Sequence, residues 1–388
     1  MHNFVFHVPT EILFGKAMEK DFAKRVKALG NKALLVTGGG SVKRLGIFDT
    51  IVEALHAAGV ETVECAGISP NPRLEEAKRG IATAKEENVD VILPIGGGST
   101  IDCAKLIAAG SKTEGDPWDI VLGKVDVKEA LPIAVVLTVA ATGSEMDPDS
   151  VISNPETKQK LGWASNKVLP RVSYLNPTFT YSVNAWHTAA GTADIMSHTM
   201  ENYFSVDDSA FLQDSMAEAI LRTCIKYGPI ALEEPENEEA RANLMWANSW
   251  AINGLLCTGK TQSWSVHAME HELSAYYDIT HGVGLAILTP HWLRHFMNDQ
   301  TMPRLARFAE RVFDIHKASL EEQAEAGIQA LSDFFRSLHI PMTLHEVGIG
   351  EEHLAEMAEH SVSRADGTIE GFQPLKKEDV EAIYRTAL

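Results

Sequence analysis

At 388 residues, with 45% hydrophobic and 22% charged side chains, the chain has the composition of a core-forming globular protein and the length for two domains. Its formal charge of −19 argues against nucleic acid and anionic membranes as partners, since both are bound by clustered Lys and Arg. A phosphorylated ligand must therefore be held by backbone donors and a few well-placed cations.

Cys65, Cys103, Cys224 and Cys257 are far apart and form no CxxC pair, which points to reduced, mostly buried thiols. The start, Met1 to Pro9, lacks the basic residues and long apolar core of a signal peptide, and no stretch approaches the ~20 apolar residues of a membrane span. The expectation is a soluble cytoplasmic protein.

In chain order, Phe4–Phe6 and Ile12–Phe14 are short strand-like runs, followed by a helical stretch to about Leu29. Lys32–Thr37 reads as a buried parallel strand that ends in Gly38-Gly39-Gly40-Ser41. A helix over Gly46–Ala58, a strand near Glu61–Cys65 and a helix over Arg73–Asn88 follow. Val89–Ile95 is another buried strand, weakened near its end by Pro94, and it too runs into a triple glycine, Gly96-Gly97-Gly98-Ser99-Thr100. A helix to Ala109 and a strand within Leu131–Val139 complete the alternation, which predicts βαβ units and a doubly wound parallel sheet. Beyond about Thr180 strand-like runs vanish and long helical patterns take over, with twelve of the 15 histidines between His187 and His360. The predicted organisation is an α/β dinucleotide-binding domain, 1–178, and an all-helical catalytic domain, 179–388.

A glycine run between a buried strand and a helix lets backbone N–H groups approach a phosphate. Two such loops at strand carboxyl ends point to a dinucleotide, although neither is a strict GxGxxG or a P-loop. The first loop carries no acid, and Lys43 and Arg44 follow it closely, which predicts a preference for NADP.

In the helical half, Asp194 and His198 stand four apart, as do His267 and His271, with His281 ten residues further on. Positions i and i+4 share a helix face, so each pair can aim two donors at one point. Oxygen and nitrogen donors without a thiolate suit a catalytic Zn²⁺ or Fe²⁺ rather than a structural zinc cage.

With these motifs the chain resembles the iron-containing (group III) alcohol dehydrogenases, over nearly its whole length and nearest to the branch of NADP-dependent butanol dehydrogenases and broad-specificity aldehyde reductases. The resemblance rests on Ile12–Gly15, Gly38–Ser41, Gly96–Lys105, Thr138–Glu145 and Asp194–His281. It implies metal ligation by Asp194, His198, His267 and His281, with His271 a nearby histidine that becomes a candidate proton carrier. It implies cofactor contacts from Gly38, Gly39, Gly40, Ser41, Gly97, Gly98, Ser99, Asp102, Thr138, Thr142 and Lys160. Thr280 stands where the family often has proline before the last ligand. The implied chemistry is reversible hydride transfer between NADP(H) and an aldehyde such as butanal, with the carbonyl polarised by Fe²⁺ or Zn²⁺; a homodimer is implied by resemblance alone. Trp163, Leu255 and Trp264 are candidates to line the substrate pocket. The competing readings are a glycerol dehydrogenase or dehydroquinate synthase, a metal-dependent hydrolase, and a non-catalytic nucleotide or metal binder.

Overall fold

The computed structural model describes residues 1–207, 209–262, 264–363 and 367–388. By its contacts the chain forms two compact units, His7–Ser182, and Val183–Leu388 together with Met1–Phe6.

The first unit is built on a six-stranded sheet of β1 (Glu11–Phe14), β2 (Lys32–Thr37), β3 (Glu61–Cys65), β4 (Val91–Gly96), β5 (Ala134–Leu137) and, after a separate hairpin of β6 (Asp149–Asn154) and β7 (Gln159–Ala164), β8 (Val172–Leu175). Its order is β1-β8-β5-β4-β2-β3, and every pairing is parallel. Central strands β4, β5 and β8 are buried along their whole length. That is why they read as continuous apolar runs rather than alternations. One face packs Leu35, Leu93, Val136 and Tyr174 against helices Glu19–Leu29 and Ile47–Ala57. Pro94 sits inside β4 without breaking the sheet. Ile92 N donates to Pro132 O, so Pro94, two residues on, faces the same neighbour. There the β4–β5 pairing resumes only at Ile95, and the missing N–H falls in the gap.

The β6–β7 hairpin was not anticipated, although Asn154-Pro155-Glu156-Thr157 is a recognisable turn. Helix Gly98–Gly110 holds it in place. Asp102 accepts from Ser144 Oγ at 2.7 Å and from Val151 N at 2.9 Å. One turn on, the fully buried Lys105 donates to Asp147 Oδ1 at 2.7 Å and to the Asp149 carbonyl at 2.6 Å.

In the second unit the described residues form no strand, only helices and one isolated bridge between Ile369 and Leu375. The Phe4–Phe6 run forms no strand either. It joins this unit, where His2 N donates to Gly259 O at 2.9 Å, and its side chains stay exposed. Among the described residues no helix is long and apolar enough to cross a membrane, and the four cysteines are free thiols, three of them buried.

Removing one member of a buried ion pair leaves an uncompensated charge, at a cost of about 3–5 kcal/mol. Lys105→Met keeps the apolar stem and strands Asp147, so denaturant unfolding followed by a sheet-unit fluorophore should show a loss of that size. A change below about 1 kcal/mol would show that the pair does not hold the hairpin.

Candidate functional site

Helix Ala185–Tyr203 begins at Asn184, whose side chain accepts from His187 N, and it carries Asp194, His198 and Glu201 along one buried face. Helix Ser265–Tyr277 carries His267, Glu270 and His271 and stops at Asp278 in the left-handed conformation, φ 50°. The chain then restarts as helix His281–His295, which places His281 at its first residue. This break accounts for the ten-residue spacing: His281 belongs to a new helix that returns to the same point. Thr280, before it, adopts φ −63°, a value proline also takes, so the missing proline leaves the backbone path unchanged. Its hydroxyl accepts from Trp186 Nε1 at 2.9 Å.

These helices bring together donor atoms of Asp194, His267 and His281 within 4.8 Å of one another. His281 Nε2 lies 3.8 Å from Asp194 Oδ1, and His198 Nε2 lies 3.5 Å from the same oxygen. The His198 ring stacks on His267 with centroids 4.7 Å apart. His271 falls into a second group, with Glu270 and His281. Its ring centroid stands 5.7 Å from that of His281.

The donor set fits a divalent cation on two counts. First, His267 Nε2 is buried without a hydrogen-bond partner, a costly state for imidazole unless something else fills it. Second, buried Asp194, Glu201 and Glu270 all bear on His267. Burial opposes a proton on that ring, but the three carboxylates outweigh it, so a positive charge is favoured there. At His198 burial and the neighbouring imidazoles push the pKa well below the usual histidine value, which keeps a lone pair ready to donate.

Two acids that sequence reasoning missed support these rings. Glu270, buried between His267 and His271 in sequence, accepts from His281 Nδ1 and from Ser274 Oγ at 2.5 Å. That fixes the His281 tautomer with Nε2 towards Asp194. Glu201 accepts from His267 N at 2.9 Å, and the same oxygen lies 3.4 Å from His267 Nδ1. The i+7 spacing from Asp194 to Glu201 was the available signal for the latter. Of the three residues expected to line a pocket, Trp264 meets the clustered histidines, its ring edge-on to His267 at 5.1 Å and to His198 at 5.9 Å. Trp163 is buried on β7, in the sheet unit.

In the sheet unit, the loops after β2, β4 and β5 lie at adjoining carboxyl ends. The chain leaves β2 for β3 on one side and returns to β4 on the other, which makes the β2/β4 crevice a topological switch point. Gly38–Ser41 and Gly97–Ser99 border it, and a Cβ on Gly38 would approach Thr100 Oγ1 at 3.6 Å. Gly40 has φ +90°, which favours glycine. A Cβ on Gly98 would overlap Thr142, so helix Gly98–Gly110 can start there only without a side chain. Thr138 follows β5 and donates its N–H to Gly96 O at 3.0 Å. Lys160 is buried on β7, near enough to Asp102 to stabilise its charge. Both oxygens of Asp102 accept from the chain itself, so its visible role is to seat residues 144–151.

Partners that orient ligating histidines typically contribute 10–100-fold in metal affinity. Glu270→Gln should therefore weaken Zn²⁺ or Fe²⁺ binding by roughly that factor, read by competition with a chromogenic chelator. Affinity within twofold of the parent would remove Glu270 from this role.

Residues 9–177 match the family model described as iron-containing alcohol dehydrogenase, and residues 188–388 match the C-terminal model of the same family. The chain is 50% identical over 386 residues to NADH-dependent butanol dehydrogenase A of Clostridium acetobutylicum, spanning 99% of each. It is 38% identical over 371 residues to the NADPH-dependent aldehyde reductase YqhD of Escherichia coli, spanning 94% of this chain and 95% of that one. The crystal structure of NADH-dependent butanol dehydrogenase A from Thermotoga maritima superposes with a TM-score of 0.96 at 36% identity, covering 100% of this chain and 99% of that one. With both halves matched and the histidine-rich helices assembled as described, the chain belongs to the iron-containing alcohol dehydrogenases, a family of oxidoreductases.

Proposed function

We propose that the protein interconverts aliphatic aldehydes, butanal being representative, and their primary alcohols, using a nicotinamide dinucleotide and a divalent ion. The observation that carries this reading is the convergence of Asp194, His267 and His281 donors within 4.8 Å, with His198 beside Asp194. Asp194, His198, His267 and His281 would hold Fe²⁺ or Zn²⁺, which when bound polarises a carbonyl and offsets the charge of the forming alkoxide. Gly38, Gly39, Gly40, Ser41, Gly97, Gly98, Ser99, Thr138, Thr142 and Lys160 would hold the dinucleotide, the source of the hydride, with Asp102 seating the segment between them.

The chain's own side chains then have separable tasks. Glu270 keeps His281 Nδ1 protonated and its Nε2 available. Trp264 gives the histidine cluster an apolar wall, which suits an alkyl chain and keeps water away. His271, one turn after His267 and with Nε2 buried, would pass a proton to the product oxygen.

The dinucleotide reading takes NAD(H) as the cofactor. The expected NADP preference rested on a first loop without an acid and on Lys43 and Arg44 behind it, and Lys43 Nζ lies 2.5 Å from Glu64 Oε1 rather than free for a phosphate. The half-identical Clostridium relative bears a name that specifies NADH, and the name of the 38% identical Escherichia coli relative specifies NADPH. Two loops at a switch point favour this reading over a hydrolase or storage protein that uses the same ligands.

His267→Ala should lose bound metal and most aldehyde turnover while NADH fluorescence still responds to the protein. Full metal content in that variant would overturn the ligand assignment. A screen of aldehydes with NADH and NADPH, on stripped protein reloaded with Fe²⁺ or Zn²⁺, defines the substrate, and no turnover in any arm would return the hydrolase reading. His271→Ala should lower kcat by about 10²-fold or more and remove one limb of its pH profile. An unchanged rate and profile would exclude the relay.

A further inference from the structure

We infer that Glu64 is the residue that selects between the two dinucleotides, by binding the adenosine ribose and turning away a 2′-phosphate. The inference rests on the cofactor reading above and adds to it the residue and the mechanism of selection.

Glu64 is the penultimate residue of β3, the edge strand beside β2, in register with Leu35. The first glycine loop leaves the end of β2, so the two carboxyl ends are neighbours. In doubly wound sheets the ribose of a dinucleotide bound at the first strand-to-helix turn reaches the end of the next strand. A carboxylate about 20 residues beyond the glycines takes its hydroxyls there. Glu64 lies 24 residues after Gly40, in that place. Its Oε1 accepts from Thr37 Oγ1 at 3.2 Å, which ties it to the residue that precedes Gly38. The side chain is 32% exposed, so a ligand can reach it.

The same oxygen holds Lys43, the cation otherwise placed to meet a 2′-phosphate. Lys43 is held a second time, over the Phe48 ring at 4.9 Å from its centroid. Arg44 turns back towards the Gly39 carbonyl, 3.5 Å away. A 2′-phosphate arriving here meets a carboxylate first, and can recruit Lys43 only by breaking its ion pair. A 2′-hydroxyl meets an acceptor. The first glycine loop carries no acid of its own, but the neighbouring strand provides one.

The test compares the parent with Glu64→Gln and Glu64→Gln/Lys43→Ala, each as the metal-loaded enzyme. It measures kcat/KM for NADH and NADPH, and inhibition by 2′,5′-ADP against 5′-AMP. Glu64→Gln should raise the NADPH:NADH ratio roughly tenfold or more, the effect of one unit charge a few ångströms from a phosphate near a protein surface. It should tighten 2′,5′-ADP by a similar factor without tightening 5′-AMP, and removing Lys43 should reverse most of that gain. Ratios within twofold of the parent in both measurements would overturn the inference while leaving the cofactor reading intact. If instead the parent neither turns over nor binds NADH, NADPH or the adenosine fragments, the cofactor reading fails, and this inference with it.

Discussion

The convergence of the histidines depends on one close approach. Helix His281–His295 can lie against helix Ala185–Tyr203 only because residue 282 has no side chain, since a Cβ there would overlap the Ala190 carbonyl oxygen. Two residues on, a Cβ on Gly284 would come within 2.8 Å of Glu270 Cγ. The two glycines let the start of one helix press onto the flank of two others. His281 thereby comes within 3.8 Å of Asp194 and meets Glu270 with its other nitrogen. A bulkier residue at either position would push His281 away from Asp194 and Glu270. Two residues with no side chain thus set the geometry of the cluster.

The sheet unit solves a related problem with charge instead of small residues. Buried Lys105 and the carboxylate of Asp102, one turn apart on the same helix, grip successive points of the 144–151 segment. In a dry interior such groups are costly unless fully engaged, so the segment that satisfies them has few alternatives. Thr142, just before this segment, and Lys160, paired with Ser153 across the hairpin, inherit a fixed position. The two units hold their candidate site residues by different means, steric exclusion in one and paired charge in the other.

How much of this could be read from the residues alone follows from the range of the interactions concerned. Parallel strands β2, β4 and β5 were legible because burial on both faces writes an uninterrupted apolar run, and the glycine loops were legible because they end those runs. Asp194 with His198, and His267 with His271, were legible because helical periodicity makes a four-residue spacing a statement about geometry. The β6–β7 hairpin was hidden because the inward positions of β6 include the buried polar residues Ser150 and Asn154, so its sequence shows no apolar alternation. Glu270 and Glu201 were hidden for a different reason. Each stands beside or on the same helix as a candidate ligand, but which imidazole it supports is decided by how three helices meet, and no local pattern carries that information.

Lys43 shows the limit of counting charges along a chain. Beside a glycine loop, a lysine reads as a phosphate site, and the inference is sound so long as the lysine is free. Its freedom is a tertiary property. Glu64 lies 21 positions away in sequence and 2.5 Å away in space, because β2 and β3 are neighbours in the sheet. The pair offsets one of the two positive charges behind the loop and leaves an acceptor at its edge. In parallel sheets every loop at a strand's carboxyl end has such neighbours. The electrostatic character of a dinucleotide loop therefore belongs to two adjacent strand ends together, and a specificity argument that reads one loop in isolation omits half of the charges that decide it.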